Sequence, residues 1–244
     1  MKRALVPLVA VLLVAGCGDG ETKATSASSP GTTTVDGKRV VTWKLEFQSL
    51  KLYLIDPSDH KLYALRKPIE PTQAVGAAAL RVLAEEPDSE VPPNLSLTIA
   101  NGDAKVTGSP LSPAALAQVV YTLTQFPTVQ SVNGKTRKDV ESIVPAILVE
   151  SPTAESRVTS PLRVTGNANT FEATFEYDLK DASGKVLHHD FVTATSGSGE
   201  RGTFDFTIPF SVSSKQDGTL VVYEASAEDG SHIHIRETPL TLAP

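Results

Sequence analysis

The side chains with the widest chemical range in this chain are its histidines. His188 and His189 are adjacent and stand directly before Asp190. His232 and His234 are one residue apart, a spacing that puts both on one face of a strand with Arg236 and leaves Ile233 and Ile235 on the other. Two imidazoles at i and i+2 fill part of a metal site when a neighbouring strand supplies the remaining ligands. A metal-dependent or wall-active hydrolase around His188, His189, His232 and His234 is therefore one reading. The expected reading is a solvated strand face with no metal and no catalytic residue, because the positive charge of Arg236 on that face repels a cation. Glu172, Glu176 and Asp178 make an acidic stripe beside Phe171, Phe175 and Tyr177 and read in the same way, as a solvated strand face. The chain has no GxSxG, P-loop, HExxH or helix-opening GxGxxG, so no cofactor is expected.

The lone cysteine, Cys17, excludes an intrachain disulfide framework and any CxxC zinc site, and its position carries the information. Met1-Lys2-Arg3 is followed by an apolar run from Ala4 to Val14, too short for a membrane-spanning helix of about 20 residues. The run ends in Leu13-Val14-Ala15-Gly16-Cys17, which resembles the lipobox of bacterial lipoprotein signal peptides. The resemblance implies that residues 1–16 are removed and that Cys17 carries a diacylglyceryl group, holding the protein on the extracytoplasmic face of the cell membrane. An ordinary signal peptide that leaves Cys17 a free thiol is the alternative. Residues 17–37, rich in Gly, Ser, Thr and Asp, are expected to form a flexible tether.

Forty per cent of the 244 residues are apolar and 20% are charged, proportions of a globular chain with one large or two small domains. The formal charge of −6 argues against a protein whose task is to neutralise phosphates, so nucleic acid is not an expected partner. The negative charge is concentrated toward the C-terminus, where residues 145–244 hold fourteen acidic and seven basic side chains.

Two folded regions must position these residues. Over 38–142 the signals are mixed. Leu50 to Ile55 and Lys61 to Arg66 read as strands joined by an Asp56-Pro57-Ser58-Asp59 turn. Val75, Ala78, Ala79, Val82 and Leu83 give a helical stripe with Thr72 as its expected N-cap. Leu95 to Ile99 and Ala104 to Val106 predict a hairpin about Asn101-Gly102-Asp103. Ser112-Pro113 opens a second helix through Leu116, Val119, Val120 and Leu123, and Val129 to Val132 reads as a last short strand. The order predicts a two-layer α+β domain, one sheet with two helices. The segments Leu52-Tyr53-Leu54, Ala77 to Leu83, Leu116 to Pro127 with its Thr-Leu-Thr-Gln-Phe-Pro stretch, and Val132-Asn133-Gly134-Lys135 resemble the GerMN domain of a bacterial sporulation and germination lipoprotein.

From Ile147 the hydrophobic period becomes two. Phe171 to Leu179 and Thr203 to Phe210 alternate apolar with polar residues, and Ala146–Val149, Leu162–Gly166, Val186–Thr193, Leu220–Ala227 and His232–Glu237 are further strands. About seven short strands over 145–244 predict an immunoglobulin-like β-sandwich. Cys17 and Trp43 both lie outside this region, so it lacks the disulfide and packing tryptophan of antibody domains. Glu150-Ser151-Pro152, Val158 to Ala168, Gly202-Thr203-Phe204, Ile208-Pro209-Phe210 and Glu224 to Ser231 resemble the immunoglobulin-like domain of bacterial spore germination proteins.

Together the resemblances imply a lipid-anchored, non-enzymatic envelope protein of sporulation or germination type, attached to the membrane through Cys17. Its expected partners are other envelope proteins, a cell-wall component or further copies of the chain. A ligand-binding module with a pocket between the domains is the other reading, beside the hydrolase. The Val140 to Pro145 join predicts a restricted but not fixed angle between domains.

Overall fold

The computed structural model describes residues 31–35, 38–42 and 48–244. The chain separates into two compact units, 1–48 and 49–244. In the first, β1 (Gly31–Val35) pairs antiparallel with β2 (Lys38–Thr42). β1 falls within the segment read as tether. The signal segment, Cys17 and Trp43 lie outside the described residues.

The second unit opens with the hairpin of β3 (Gln48–Ile55) and β4 (Leu62–Ile69). Its turn is closed by the Asp56 carboxylate, which accepts from the backbone N–H and the hydroxyl of Ser58. Helix α1 (Val75–Glu85) buries Ala79 and Leu83 of the expected stripe, and Leu80 beside it, while Val75, Ala78 and Val82 are partly buried against the same core. Its N-cap is Ala74, not Thr72: the Thr72 hydroxyl accepts the Ala74 N–H, forming a local turn ahead of the helix. β5 (Ser96–Ala100) and β6 (Asp103–Thr107) form the expected hairpin, and β7 shortens to Ser131–Val132, parallel to β6. Helix α2 (Pro113–Leu123) starts as read, with the Ser112 hydroxyl accepting from Ala115 N at 3.0 Å.

The strands of this α+β half divide into the β3–β4 hairpin and the β5–β6–β7 sheet. Helix α2 and the turn that follows it explain the division, because their polar side chains occupy the free edge of β3. Tyr53 N–H donates to Thr122 Oγ1, Gln118 Nε2 donates to the Tyr53 carbonyl, and Gln125 Nε2 donates to the Lys51 carbonyl. A strand cannot pair where a helix has satisfied the backbone. Similarly, the Asn133 amide both donates to the Val106 carbonyl and accepts its N–H, extending the β6 edge with a side chain.

A 3₁₀ segment, Arg137–Ile143, leads into the β-sandwich. One sheet has the order β13 (Gly202–Ile208), β10 (Leu162–Ala168), β8 (Ile147–Ser151). The other runs β12 (Val186–Thr193), β11 (Thr174–Asp181), β14 (Gln216–Ala225), β15 (His232–Leu242), β9 (Ser156–Val158). Phe175, Tyr177, Leu179, Phe204, Leu220, Val222, Leu240 and Leu242 fill the space between them. β11 starts later than its alternation suggested. Phe171–Ala173 is a 3₁₀ turn in which Glu172 and Ala173 take positive φ, so Phe171 is exposed and Glu172 leaves the acidic stripe.

Candidate functional site

The histidines meet their neighbours separately. On β12, His188 stacks on Tyr177, with Nδ1 3.3 Å from the phenol oxygen, while His189 turns to the opposite face, its Nδ1 2.9 Å from Asp178 Oδ1 and its Nε2 3.8 Å from Glu176. β15 does not keep His232 and His234 on one face. The register shifts between Val222 and Glu224 of β14, and His234 takes φ 53°, so the alternation is reset within the bulge. His232 stacks on Tyr223 with ring centroids 3.9 Å apart, whereas His234 Nδ1 reaches Glu224 Oε2 at 2.8 Å. Tyr223 and Glu224 are consecutive and point to opposite faces, and so do the two imidazoles. His189 and His232 thus share the outer face through Tyr223, whose hydroxyl lies 3.5 Å from His189 Nδ1. His188 and His234 do not join them. Burial, then Asp178 and Glu176, push the Tyr223 phenol up to about 12. Among the described residues no group of three or more His, Cys, Asp or Glu is placed to hold a metal ion.

Polar side chains converge instead on the seam between the α+β half and the sandwich. β8 belongs to both cores: Leu148 packs into the first, and Ile147 and Val149 into the second. Glu150, next along β8, is the electrostatic centre. Its Oε2 accepts from Lys51 Nζ at 2.9 Å, and its Oε1 accepts from Arg137 Nη1 at 2.9 Å and Asn167 Nδ2 at 3.0 Å. The Glu150 side chain is 17% exposed. Burial by itself would raise its carboxyl, but Arg137 and Lys51 outweigh that effect and hold it below the ordinary carboxylate range. The Arg137 guanidinium also lies over the Tyr121 ring at 4.5 Å and donates through Nε to Thr124 Oγ1. Burial, reinforced by the Glu150 charge, raises the neighbouring Tyr53 phenol well above its usual value.

Two further arginines tie the halves together. Arg201 Nη1 donates to Asn167 Oδ1 at 2.9 Å and Nη2 to the Pro145 carbonyl at 2.9 Å, with Glu141 3.4 Å from Nε. Arg236 reaches from β15 into the turn of the first hairpin, pairing with Asp59 and, at 3.5 Å, with Asp56. Backbone joins backbone as well, since Ala154 N–H donates to the Ala64 carbonyl at 3.0 Å. The join is therefore not a hinge. Val140 and Val144 are buried in the first core, and 49–244 is one compact unit.

No residue pattern marked Lys51, Arg137, Glu150 or Arg201, and Arg236, read on the face of His232 and His234, stands instead at the seam. One signal was present: Glu150 and Asn167 both stand inside the segments that resemble the germination-type immunoglobulin-like domain. A groove of about 650 Å³ lies between the domains, bordered by Tyr121, Arg137 and Glu141 on one side and Asn167 and Arg201 on the other, and its lining is mainly charged and polar, where the alternative reading of a ligand-binding module called for an apolar cavity.

Such an arrangement defines a class: an α+β domain joined to an immunoglobulin-like sandwich through a shared strand and a half-buried ion-pair network. Residues 51–135 match the family described as sporulation and spore germination, and residues 146–231 match the immunoglobulin-like domain of bacterial spore germination. The two matches stand in tandem along the chain, each over about a third of it. No curated protein matches it. Among solved structures, CopC from Methylosinus trichosporium OB3b aligns at 14% identity over 40% of this chain and 94% of its own length, with a TM-score of 0.28.

Proposed function

We propose that this is a lipid-anchored, non-enzymatic envelope protein of germination or sporulation type. In this reading it acts by presenting the surfaces of its two domains to other envelope proteins at fixed relative positions. The observation that carries the reading is the seam. Lys51, Arg137 and Glu150, with Arg236 and its aspartates, spend their charges on holding one domain against the other. A rigid pair of domains suits a scaffold, since a partner touching both meets surfaces that need no further ordering. Lipid at Cys17 would add to this by concentrating the pair at the membrane and raising its effective concentration for partners there. The exposed Phe191 and Ile235 on the outer sheet face are side chains for such a partner to cover.

The test is twofold. Cells expressing the Cys17→Ser variant are grown with labelled fatty acid and fractionated. The native chain is expected to carry label and pellet with membranes, and the variant to lose both. Equal membrane retention and equal label in the two would refute the anchor. Crosslinking with mass spectrometry in living cells should return one dominant protein partner spanning both domains, and crosslinks scattered without preference would refute the scaffold.

A further inference from the structure

At the margin of the seam lies a second, smaller groove of about 280 Å³, lined by Arg66, Arg157 and Arg163 together with the hydroxyl residues Ser151, Thr153, Ser156 and Thr159. None of the described residues that line it is acidic, in a chain whose formal charge is −6 and whose sandwich half is the more acidic. The three arginines come from three elements, β4, β9 and β10. Their convergence is fixed by the backbone. The Leu65 to Ala154 bridge sets β4 beside the entry to β9, and β9 is held in the sheet by β15.

Charge accounting separates these arginines from an ordinary solvated surface. Arg137, Arg163, Arg201 and Arg236 each have a carboxylate partner, Arg163 through a two-pronged pair with Asp205. Among residues 48–244, Arg66, Arg81 and Arg157 have none, and two of those three line this groove. Arg66 donates through Nη1 to a neutral acceptor, Ser49 Oγ at 2.9 Å, and no carboxylate among residues 48–244 pairs with it. Thr153 Oγ1 and Ser156 Oγ lie 2.8 Å apart, so only one of the two protons is used between them and the other hydroxyl hydrogen is available to a ligand.

Two guanidinium groups with no carboxylate partner among residues 48–244, beside hydroxyl donors in a groove of about 280 Å³, suit a tetrahedral oxyanion together with the organic group that carries it. The planar fork of arginine pairs two N–H groups with two phosphate oxygens. We propose that this groove binds a phosphate ester, with Arg66 and Arg157 supplying the charge and Ser151, Ser156 and Thr159 the hydroxyl contacts. The chemistry is shared by a lipid headgroup and by a soluble or polymer-borne phosphate ester. It is independent of the fate of Cys17.

The experiment uses the full chain in neutral detergent micelles, with arginine Nε–H resonances followed by NMR at constant ionic strength. Addition of glycerol 3-phosphate should move the Arg66 and Arg157 signals saturably, with a dissociation constant in the millimolar range, while an equivalent of chloride leaves them in place. The double variant Arg66→Gln, Arg157→Gln should bind at least tenfold more weakly. Arg81→Gln, an unpaired arginine elsewhere, should bind as the native chain does. Phosphatidylglycerol doped into the same micelles gives the second arm, and the ester that saturates at the lower concentration identifies the source. All three substituted arginines are exposed, so folding is preserved, with circular dichroism as the check. Unsaturable shifts, an equal response to chloride, or equal weakening by Arg81→Gln would overturn the proposal.

Discussion

Replacing Glu150 by Gln removes a single charge from the seam and keeps the shape. In the native protein two cations lie 2.9 Å from this carboxylate, Lys51 and Arg137, whose side chains are 18% and 33% exposed. Breaking a fully buried pair by deleting one partner costs about 3–5 kcal/mol, and exposed pairs are worth about 0–1. A cluster that is mostly but not wholly buried falls between these, at about 2.5 kcal/mol. Gln can still accept from Asn167, so the loss is electrostatic. In urea, which unlike guanidinium does not screen charge, an m-value of about 2.5 kcal/mol/M converts this to a midpoint about 1 M lower. The pH dependence gives the discriminating result. The folded Glu150 carboxyl is held below its ordinary value, so its contribution is complete above the unfolded value of about 4.3 and is lost as pH falls through the folded one. The gap between native and variant should be full at pH 7, narrow below pH 5 and approach zero at the acid end. A Lys51→Met, Glu150→Gln double variant should lose less than the sum of the singles. A gap that is the same at pH 3 and pH 7, or strict additivity, would refute the view that this charge network holds the domains together.

Two other substitutions test separate parts of the fold. Thr122→Val keeps the volume but removes the acceptor of the Tyr53 N–H on the β3 edge, and leaving that buried donor unpaired should cost about 2 kcal/mol in denaturant midpoint analysis. Gly166→Ala should cost about 3 kcal/mol or more and lower the yield of folded protein, because a Cβ there would sit 2.1 Å from the Leu148 carbonyl oxygen and 2.5 Å from the Phe204 ring. A thermal midpoint within a degree of the native value would show that β8 and β10 can separate freely.

The elements of this chain were readable wherever one physical signal dominated. Ser112-Pro113 before an apolar stripe specifies a helix start by itself, and α2 begins there. Asp56 followed by Ser58 closes a turn through its own side chain, as the turn chemistry required. Errors arose where a side chain competed with the backbone. The Thr72 hydroxyl satisfied a local N–H before the helix began, and the bulge at Tyr223 reset the faces of β15 so that His232 and His234 parted. A period-two count carries no information on an inserted residue, because the insertion is an exchange of ladder hydrogen bonds and leaves the composition unchanged.

The seam was illegible for a different reason. Glu150 and Lys51 are 99 residues apart, and Arg236 and Asp59 are 177 apart. Each taken alone is a charged residue on a strand or turn, for which a solvated position is the ordinary outcome. Nothing local marks such a charge as buried, because its burial is created only when a second domain arrives. The family resemblance reaches part of what periodicity cannot. Its Thr-Leu-Thr-Gln stretch contains the two side chains, Thr122 and Gln125, that occupy the β3 edge, and its Gly166-Asn167 pair contains the glycine that lets two strands approach and the amide that links Glu150 to Arg201. Thr122 and Gln125 have positions set by backbone groups of another element, and Asn167 by the side chains of Glu150 and Arg201. A substitution at any of them should therefore weaken the union of elements before it touches any exposed surface, which separates the residues that build the scaffold from those, such as Arg66 and Arg157, whose charge is left unspent for a ligand.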